Sequence, residues 1–460
     1  MKNILQVYTP HYKANLRLAY PVVLSQAGQM LVGIFDSLMV GQLGTIPLAA
    51  CGLANNIFPV IMVVGMGISM ALTPLVGEMY GERNYAKVGV LYRHGLLISL
   101  LVGGLLFLGS AGFSPFLHSM DQPEAVVDLA LPYFVVICLS LVPLMVFFNG
   151  KQFAEGVAST RPAMFITLSS NLLNIILNYL LIYGKLGFPA LGLMGAGYAT
   201  LISRVIMAVV MVAWVKRAKV MQQFWRFEGF KWKKGIFSEI FKLGIPIGGQ
   251  MVMEVGSFSV GAVMIGTLGA SPLAAHQIVI GIAAMTYMMA NGLSASATIR
   301  TSNFLGAKQK EKAGRAIWSN YHLVIAFMSA TALVFVVGRH FLPSLYIDNS
   351  EVLDIAAQLM VVAAFFQLFD GIQVMALGAL RGMKDVRIPT VLSLIAYWVL
   401  GIPSCYFYAF ILELGAEGVW YGYLTGLGAI AVLLTFRVYR LLRKISVDAR
   451  KAGLAVEGKG

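Results

Sequence analysis

The sequence predicts an all-α polytopic membrane protein of twelve transmembrane helices in two six-helix bundles. Three observations carry this: 58% of the residues are hydrophobic, only 12% are charged, and long apolar runs recur along all 460 residues with short polar breaks. A soluble globular chain carries about twice that share of charge. A hydrocarbon core of roughly 30 Å takes about 20 apolar residues per helix. The runs are continuous instead of alternating apolar with polar, which excludes an outer-membrane barrel. The expected spans are about 16–41, 48–76, 91–112, 128–150, 163–184, 190–216, 238–266, 273–302, 316–338, 353–380, 389–410 and 416–441. The N-terminus is polar and lacks a cleavable apolar leader, so the first helix is expected to be retained.

Charge placement orients the helices. Of 34 Lys and Arg, 30 sort to the termini and the even-numbered loops or to the span ends that border them, two (Lys185, Arg339) to the opposite loops, Arg204 lies within helix six and Lys242 begins helix seven. The positive-inside rule then places both termini in the cytoplasm. The opposite loops carry Asp121, Glu124, Asp348, Glu351, Glu413 and Glu417. A net charge of +14 therefore reflects topology, and no nucleic-acid partner is expected.

The longest polar connection, Val215 to Gly235, mixes basic and aromatic residues midway along the chain. It reads as a linker lying on anionic lipid headgroups between two halves. The expected domains are a first bundle at 1–215, a linker at 216–237, a second bundle at 238–441 and a cytoplasmic tail at 442–460. Internal repetition supports duplication. GQM at 28–30 recurs at 249–251, an offset of 221, and LGTIPLAA at 43–50 recurs as LGASPLAA at 268–275, an offset of 225 that also carries Gly67, Ser69 and Gly81 onto Gly292, Ser294 and Gly306. Equivalents six helices apart share one orientation, as in parallel repeats.

Only Asp36, Glu254 and Asp370 are expected deep inside spans, with Arg204 the only deep base. An intramembrane acid costs several kcal/mol and is by default a functional hypothesis. Asp36 follows Pro21 by fifteen residues, and a proline can bend the helix that carries it. On helix five, Asn171, Asn174 and Asn178 stack at spacings of three and four. Their oxygens, with the Ala196 carbonyl and the Thr200 hydroxyl of helix six, could join Asp36 around a hard cation. A structural amide network is the competing reading.

The second half is polar elsewhere: Gln250, Glu254 and Ser257 on helix seven, His276 and Gln277 at the start of helix eight, and Gln367, Asp370 and Gln373 on helix ten. Glu254 and Asp370 could exchange protons or attract a cationic substrate, with Tyr287, Phe366, Tyr397 and Trp398 stacking on it. The 24 Met and 27 Phe suit an adaptable cavity. The three Cys lie in apolar runs without metal-ligand spacing. There is no GxxxxGK[ST], HExxH, CxxC or GxSxG pattern, so neither ATP drive nor an enzyme is indicated and no cofactor is expected.

The segments PVVLSQAGQMLVGIFDSLMVGQLG, NLLNIILNYLLIYGKLG, PLAAHQ, FDGIQVMALGALRGMKD and YWVLGIP resemble the multidrug and toxic compound extrusion (MATE) family, most of all its NorM-type branch, from about residue 10 to residue 440. The resemblance implies a V-shaped monomeric antiporter in the bacterial cytoplasmic membrane. It would export small cationic amphipathic drugs or dyes against a sodium or proton gradient. Carried over by position, Asp36, Asn174, Asn178, Ala196 and Thr200 would form the amino-lobe cation site, as sodium ligands if the ion is sodium. Glu254 and Asp370 would be the carboxy-lobe acids, with Gln250, Gln277, Tyr287, Phe366, Gln367 and Tyr397 around the substrate and Pro21 as hinge. Asn178 replaces the acid of archaeal relatives, and Phe366 an expected Tyr. The alternatives are a lipid-linked oligosaccharide flippase of the same superfamily, for which a basic cavity would be expected, and a channel or non-transport membrane protein.

Overall fold

The computed structural model describes residues 2–119, 122–225 and 233–457, with side chains from residue 6 to residue 445 of these. Asp121, the linker stretch 226–232 and tail residues 458–460 lie outside the described residues. Twelve long helices follow one another: α1 (Lys2–Gly41), α2 (Thr45–Gly81), α3 (Tyr85–Ser119), α4 (Glu124–Gly156), α5 (Arg161–Tyr183), α6 (Leu193–Arg217), α7 (Lys234–Gly266), α8 (Ala270–Gly306), α9 (Lys310–Val337), α10 (Ser350–Gly382), α11 (Arg387–Ile411) and α12 (Gly415–Glu457). Eleven of them meet the length and hydropathy expected of a membrane span among the described residues. The twelfth, α7, falls short because Gln250, Glu254, Ser257 and Ser259 interrupt its apolar run.

Local sequence explains the helix ends and breaks. Asn84 and Asn349 accept the N–H groups of Lys87 and Val352, each at 3.2 Å, and so cap α3 and α10. Pro162 sits in the first turn of α5, where no donor is needed, and Gly184 ends that helix in the left-handed region at φ 65°. Helix α4 breaks at Ser140, whose Oγ donates to the Ile137 carbonyl at 2.5 Å. Helix α11 contains two π-helical stretches, Ile395–Gly401 and Phe407–Ile411. Gly418, Gly422 and Gly426 of α12, spaced by four, take the backbone of α11 in close contact.

The chain divides into two compact units, Leu24–Gly248 and Met1–Val23 with Gly249–Gly460. The change of unit therefore falls inside α1 and inside α7, and not at the linker between 215 and 238. Pro21 and Pro246 each precede it by two residues, again at an offset of 225. The same symmetry governs packing. In the first unit a Cβ on Gly67 would strike the backbone of Gly248; in the second a Cβ on Gly292 would strike Val23 and the Ala19 carbonyl. The repeated glycines thus permit close approach of the helices that change unit.

Among the described linker residues, Phe224 and Trp225 pack against the protein, which corrects their reading as membrane-surface residues. Phe224 is buried, edge-on to Tyr80, Tyr85 and Phe153, and Trp225 donates Nε1–H to the Val215 carbonyl at 2.9 Å. Lys216, Arg217 and Lys219 remain exposed.

Gly67→Val should destabilise the protein by about 2 kcal/mol or more, because the neighbour it meets is backbone and cannot repack. Gly249→Ala meets nothing within 4 Å and should be neutral or gain up to about 1 kcal/mol through helix propensity. Thermal unfolding of the two purified variants in detergent checks the contrast.

Candidate functional site

Each unit holds an acid-lined cavity. In the unit Leu24–Gly248, the cavity has a volume of about 220 Å³ and is lined by polar groups of α1, α5 and α6 (Gln29, Asp36, Ser170, Asn171, Asn174, Thr200, Ser203, Arg204), with Phe58 and Phe148 among its apolar walls. The helical spacing of α5 delivers its amides: Asn178 Nδ2 donates to Asp36 Oδ1 at 2.5 Å and to Asn174 Oδ1 at 3.3 Å, and Asn174 Nδ2 donates to Thr200 Oγ1 at 3.4 Å. The result is a continuous chain from Asp36 through two amides to a hydroxyl. Asn178 Oδ1 is buried and lacks a hydrogen-bond partner, so one acceptor in this shell is unsatisfied.

The structure thus brings Asp36, Asn174, Asn178 and Thr200 together. Ala196 is buried one turn before Thr200 on α6 and does not line the cavity. Asn171 lines it with its amide nitrogen unpartnered. One carboxylate with amide and hydroxyl oxygens is a donor set for a hard monovalent cation. Among the described residues no group of three or more His, Cys, Asp or Glu is placed to hold a metal ion.

The second cavity, about 230 Å³ within the other unit, is of a different character. Glu254 of α7 and Asp370 of α10 line it with Met251, Val255, Phe258, Ile280, Tyr287 and Phe366, and no basic side chain is among the lining residues. Phe258 anchors an aromatic cluster, with ring centroids 5.9 Å from Phe366, 6.4 Å from Tyr397 and 5.0 Å from Tyr423. Tyr397 is therefore one layer behind the lining. Gln250 is buried and accepts from Arg381 Nη2 at 3.2 Å. Two expected cavity residues lie elsewhere. Gln277 is exposed, and Gln367 turns toward α9, accepting from Thr331 Oγ1 at 3.3 Å. Rotation accounts for both: Gln277 lies about 80° round α8 from Tyr287, and Gln367 about 100° round α10 from Phe366. His276 is buried edge-on against Trp420, centroids 5.7 Å apart, in a packing position.

The expected inventory of deep charges is corrected. Arg300 is buried in α8, donating to the His11 carbonyl at 3.0 Å and to Asn15 Oδ1, and Asn15 donates to Ser319 Oγ at 2.8 Å. This network fastens the first part of α1 within its unit. Glu155 is a further buried acid, 3.9 Å from Lys151 one turn earlier on α4. Arg381, expected in a loop, lies in the last turn of α10 within Coulombic reach of Glu254. Lys151, Glu155 and Arg381 lie where helices run past their apolar runs, whereas Arg300 lies two residues inside the end of the expected span 273–302. The only available signal was the polar spacing that continued beyond each run.

The fold and its two acid-lined cavities define a multi-span membrane protein of the transporter class. Comparison with known proteins makes the class specific. The MatE family model matches residues 21–180 and again 246–407, and the chain belongs to that family. The two matches begin 225 residues apart, the offset of the internal repeat. The chain is 34% identical over 443 residues to the probable multidrug resistance protein NorM of Rhizobium meliloti (strain 1021), covering 95% of each. It is 33% identical over 448 residues to the multidrug resistance protein NorM of Vibrio vulnificus (strain YJ016), covering 95% of this chain and 97% of that one. Among solved structures, the eukaryotic MATE transporter AtDTX14 superposes with a TM-score of 0.85 at 22% identity, covering 95% of this chain and 99% of that one. A MATE in the bent conformation superposes at 0.88 and 20%, covering 98% and 99%. At these identities the structures share the fold.

Asn178→Leu keeps the volume of the side chain but removes the amide that donates to Asp36 and Asn174. It should cost about 1–3 kcal/mol of stability at neutral pH, and Asp36→Asn in the same background should recover part of that loss. Thermal melts of the single and double variants form the cycle that measures it.

Proposed function

We propose that the protein is a secondary multidrug exporter that moves cationic amphipathic compounds out of the cell by antiport with sodium ions or protons. The observation that carries the reading is the pair of chemically different acid cavities, one per unit. The amino-terminal one offers Asp36, Asn174 and Thr200 to a small cation, with Asn178 hydrogen-bonded to Asp36 and Asn174 behind the lining; the carboxy-terminal one offers Glu254 and Asp370 inside an aromatic wall. The names of the relatives, multidrug resistance protein NorM, agree with it.

A cation held by Asp36 replaces water oxygens with side-chain oxygens, the Ala196 carbonyl completing the shell if α6 bends. The carboxy-terminal cavity, about 230 Å³, is smaller than the several hundred Å³ that a drug-sized ligand fills. It would therefore take the cationic end of a substrate, with Phe366, Phe258 and Tyr287 against its apolar part and Glu254 and Asp370 against its charge. Gln250, Gln367, Gln277 and Tyr397 act at most through residues that touch the substrate. Coupling follows if cation and drug prefer opposite facing states, since a ligand with equal affinity for both shifts nothing. Pro21, two residues before the change of unit in α1, is the hinge of that alternation. The protein works as a monomer in the bacterial cytoplasmic membrane with both termini inside, and needs no resident cofactor. A basic cavity would favour the lipid-linked oligosaccharide flippase; the lining acids Glu254 and Asp370 oppose it.

The test is dye efflux from proteoliposomes under separately imposed sodium and proton gradients, comparing the parent with Asp36→Asn, Glu254→Gln and Asp370→Asn. Each variant should lose at least about 90% of gradient-driven efflux while remaining folded. Full efflux in all three would reject the coupling assignment, and dye movement without any gradient dependence would favour a channel.

A further inference from the structure

Of the buried bases, Arg300 is committed to His11 and Asn15, Lys151 faces Glu155, and Arg381 is bound to Gln250. Arg204 differs in sharing a cavity with an acid while being held by neutral groups. It stands one turn after Thr200 on α6 and lines the cavity of Asp36. Its Nη1 donates to Ser140 Oγ at 2.6 Å, at the break in α4, and its guanidinium lies 4.8 Å over the Phe58 ring of α2. The two charges are within Coulombic reach of each other, yet no ion pair within 4.0 Å joins them among the described residues. Asp36 takes the Asn178 amide instead. The other ionisable groups near Asp36, Tyr133 and Cys51, are engaged with one another at 3.6 Å.

We propose that Arg204 is the built-in counter-charge of the amino-terminal cavity: it compensates Asp36 when the coupling cation is away and weakens cation binding enough for the cation to be released. The inference rests on the reading of Asp36 as the cation site. A guanidinium stays protonated at every physiological pH, so the compensation is permanent. With Asp36 ionised, the lining side chains sum to zero formal charge and a bound cation raises the sum to +1. Without Arg204, departure of the cation would leave an uncompensated carboxylate inside the membrane, a state expensive enough to stall the return step. Anchoring by Ser140 and Phe58 keeps the guanidinium off the carboxylate, so the cation's oxygen ligands stay accessible. The lining of the carboxy-terminal cavity holds two acids and no base, which directs a cationic substrate there and away from Arg204.

The experiment titrates cation response in the full-length protein with Arg204→Gln, Arg204→Lys and Asp36→Asn. Two readouts are used: sodium-dependent thermal stabilisation in detergent at constant ionic strength, and proteoliposome efflux as a function of sodium and of pH. Arg204→Gln should tighten cation binding by tenfold or more, since two unit charges within about 12 Å interact at least that strongly at an effective dielectric near 20. That appears as a half-saturating sodium concentration lower by the same factor, or as a pH midpoint about one unit or more higher if protons are the coupling ion. Its maximal efflux rate should fall several-fold, and Arg204→Lys should restore both quantities to within about threefold of the parent. A folded Arg204→Gln protein with unchanged or weaker cation binding overturns the proposal, as does a Lys variant that behaves like Gln. A cation response that survives Asp36→Asn instead rejects the underlying assignment of Asp36, and is told apart by that variant alone.

Discussion

A carboxylate inside an apolar slab must be compensated locally, and most of what is distinctive in this protein answers that constraint. Asp36 is met by an amide, then a second amide, then a hydroxyl, with a guanidinium in reserve in the same cavity. Glu254 and Asp370 have no base among their lining neighbours and stand against aromatic rings. The first arrangement compensates the acid internally. The second sets both acids in one cavity whose lining holds no base, with Arg381 behind it within Coulombic reach of Glu254. One fold, duplicated, thereby holds two sites of opposite chemical appetite.

Duplication supplies the scaffold for this asymmetry. The glycines at 67 and 292, and the prolines at 21 and 246, occupy equivalent places, and each pair serves the helix that passes from one unit to the other. Symmetry is retained where backbones touch, because a Cβ has no room there. It is lost where side chains line cavities, since a cavity tolerates exchange.

Much of this was legible in the residues. Twelve apolar runs, the 225-residue offset and three acids within apolar surroundings needed only periodicity and a count of charges. The i, i+4 spacing of Asn174 and Asn178 placed both amides on one face, and the structure sets that face on Asp36. Rotation about the helix axis was less legible. Gln277 and Gln367 look as polar as Gln250 in sequence, yet one is exposed and one turns toward Thr331. Arg381 and Glu155 sit just past the expected spans and Arg300 just inside the end of one, where a helix that continues cannot be told from a loop that begins. Their burial depends on neighbours more than a hundred residues away or on a helix end that hydropathy blurs.

The sequence by itself determined the helical membrane fold, its duplication and the identity of the acids within the apolar spans, because each follows from the cost of moving polar groups into hydrocarbon and from local spacing. Only the tertiary structure decided which amide meets Asp36, that Arg204 enters the same cavity while bonded to Ser140, and that the change of unit lies within α1 and α7. Those are facts about which helix faces touch. Helix faces are chosen by packing of the whole chain, above all by close backbone approach at a few glycines, and no local window of residues contains that choice.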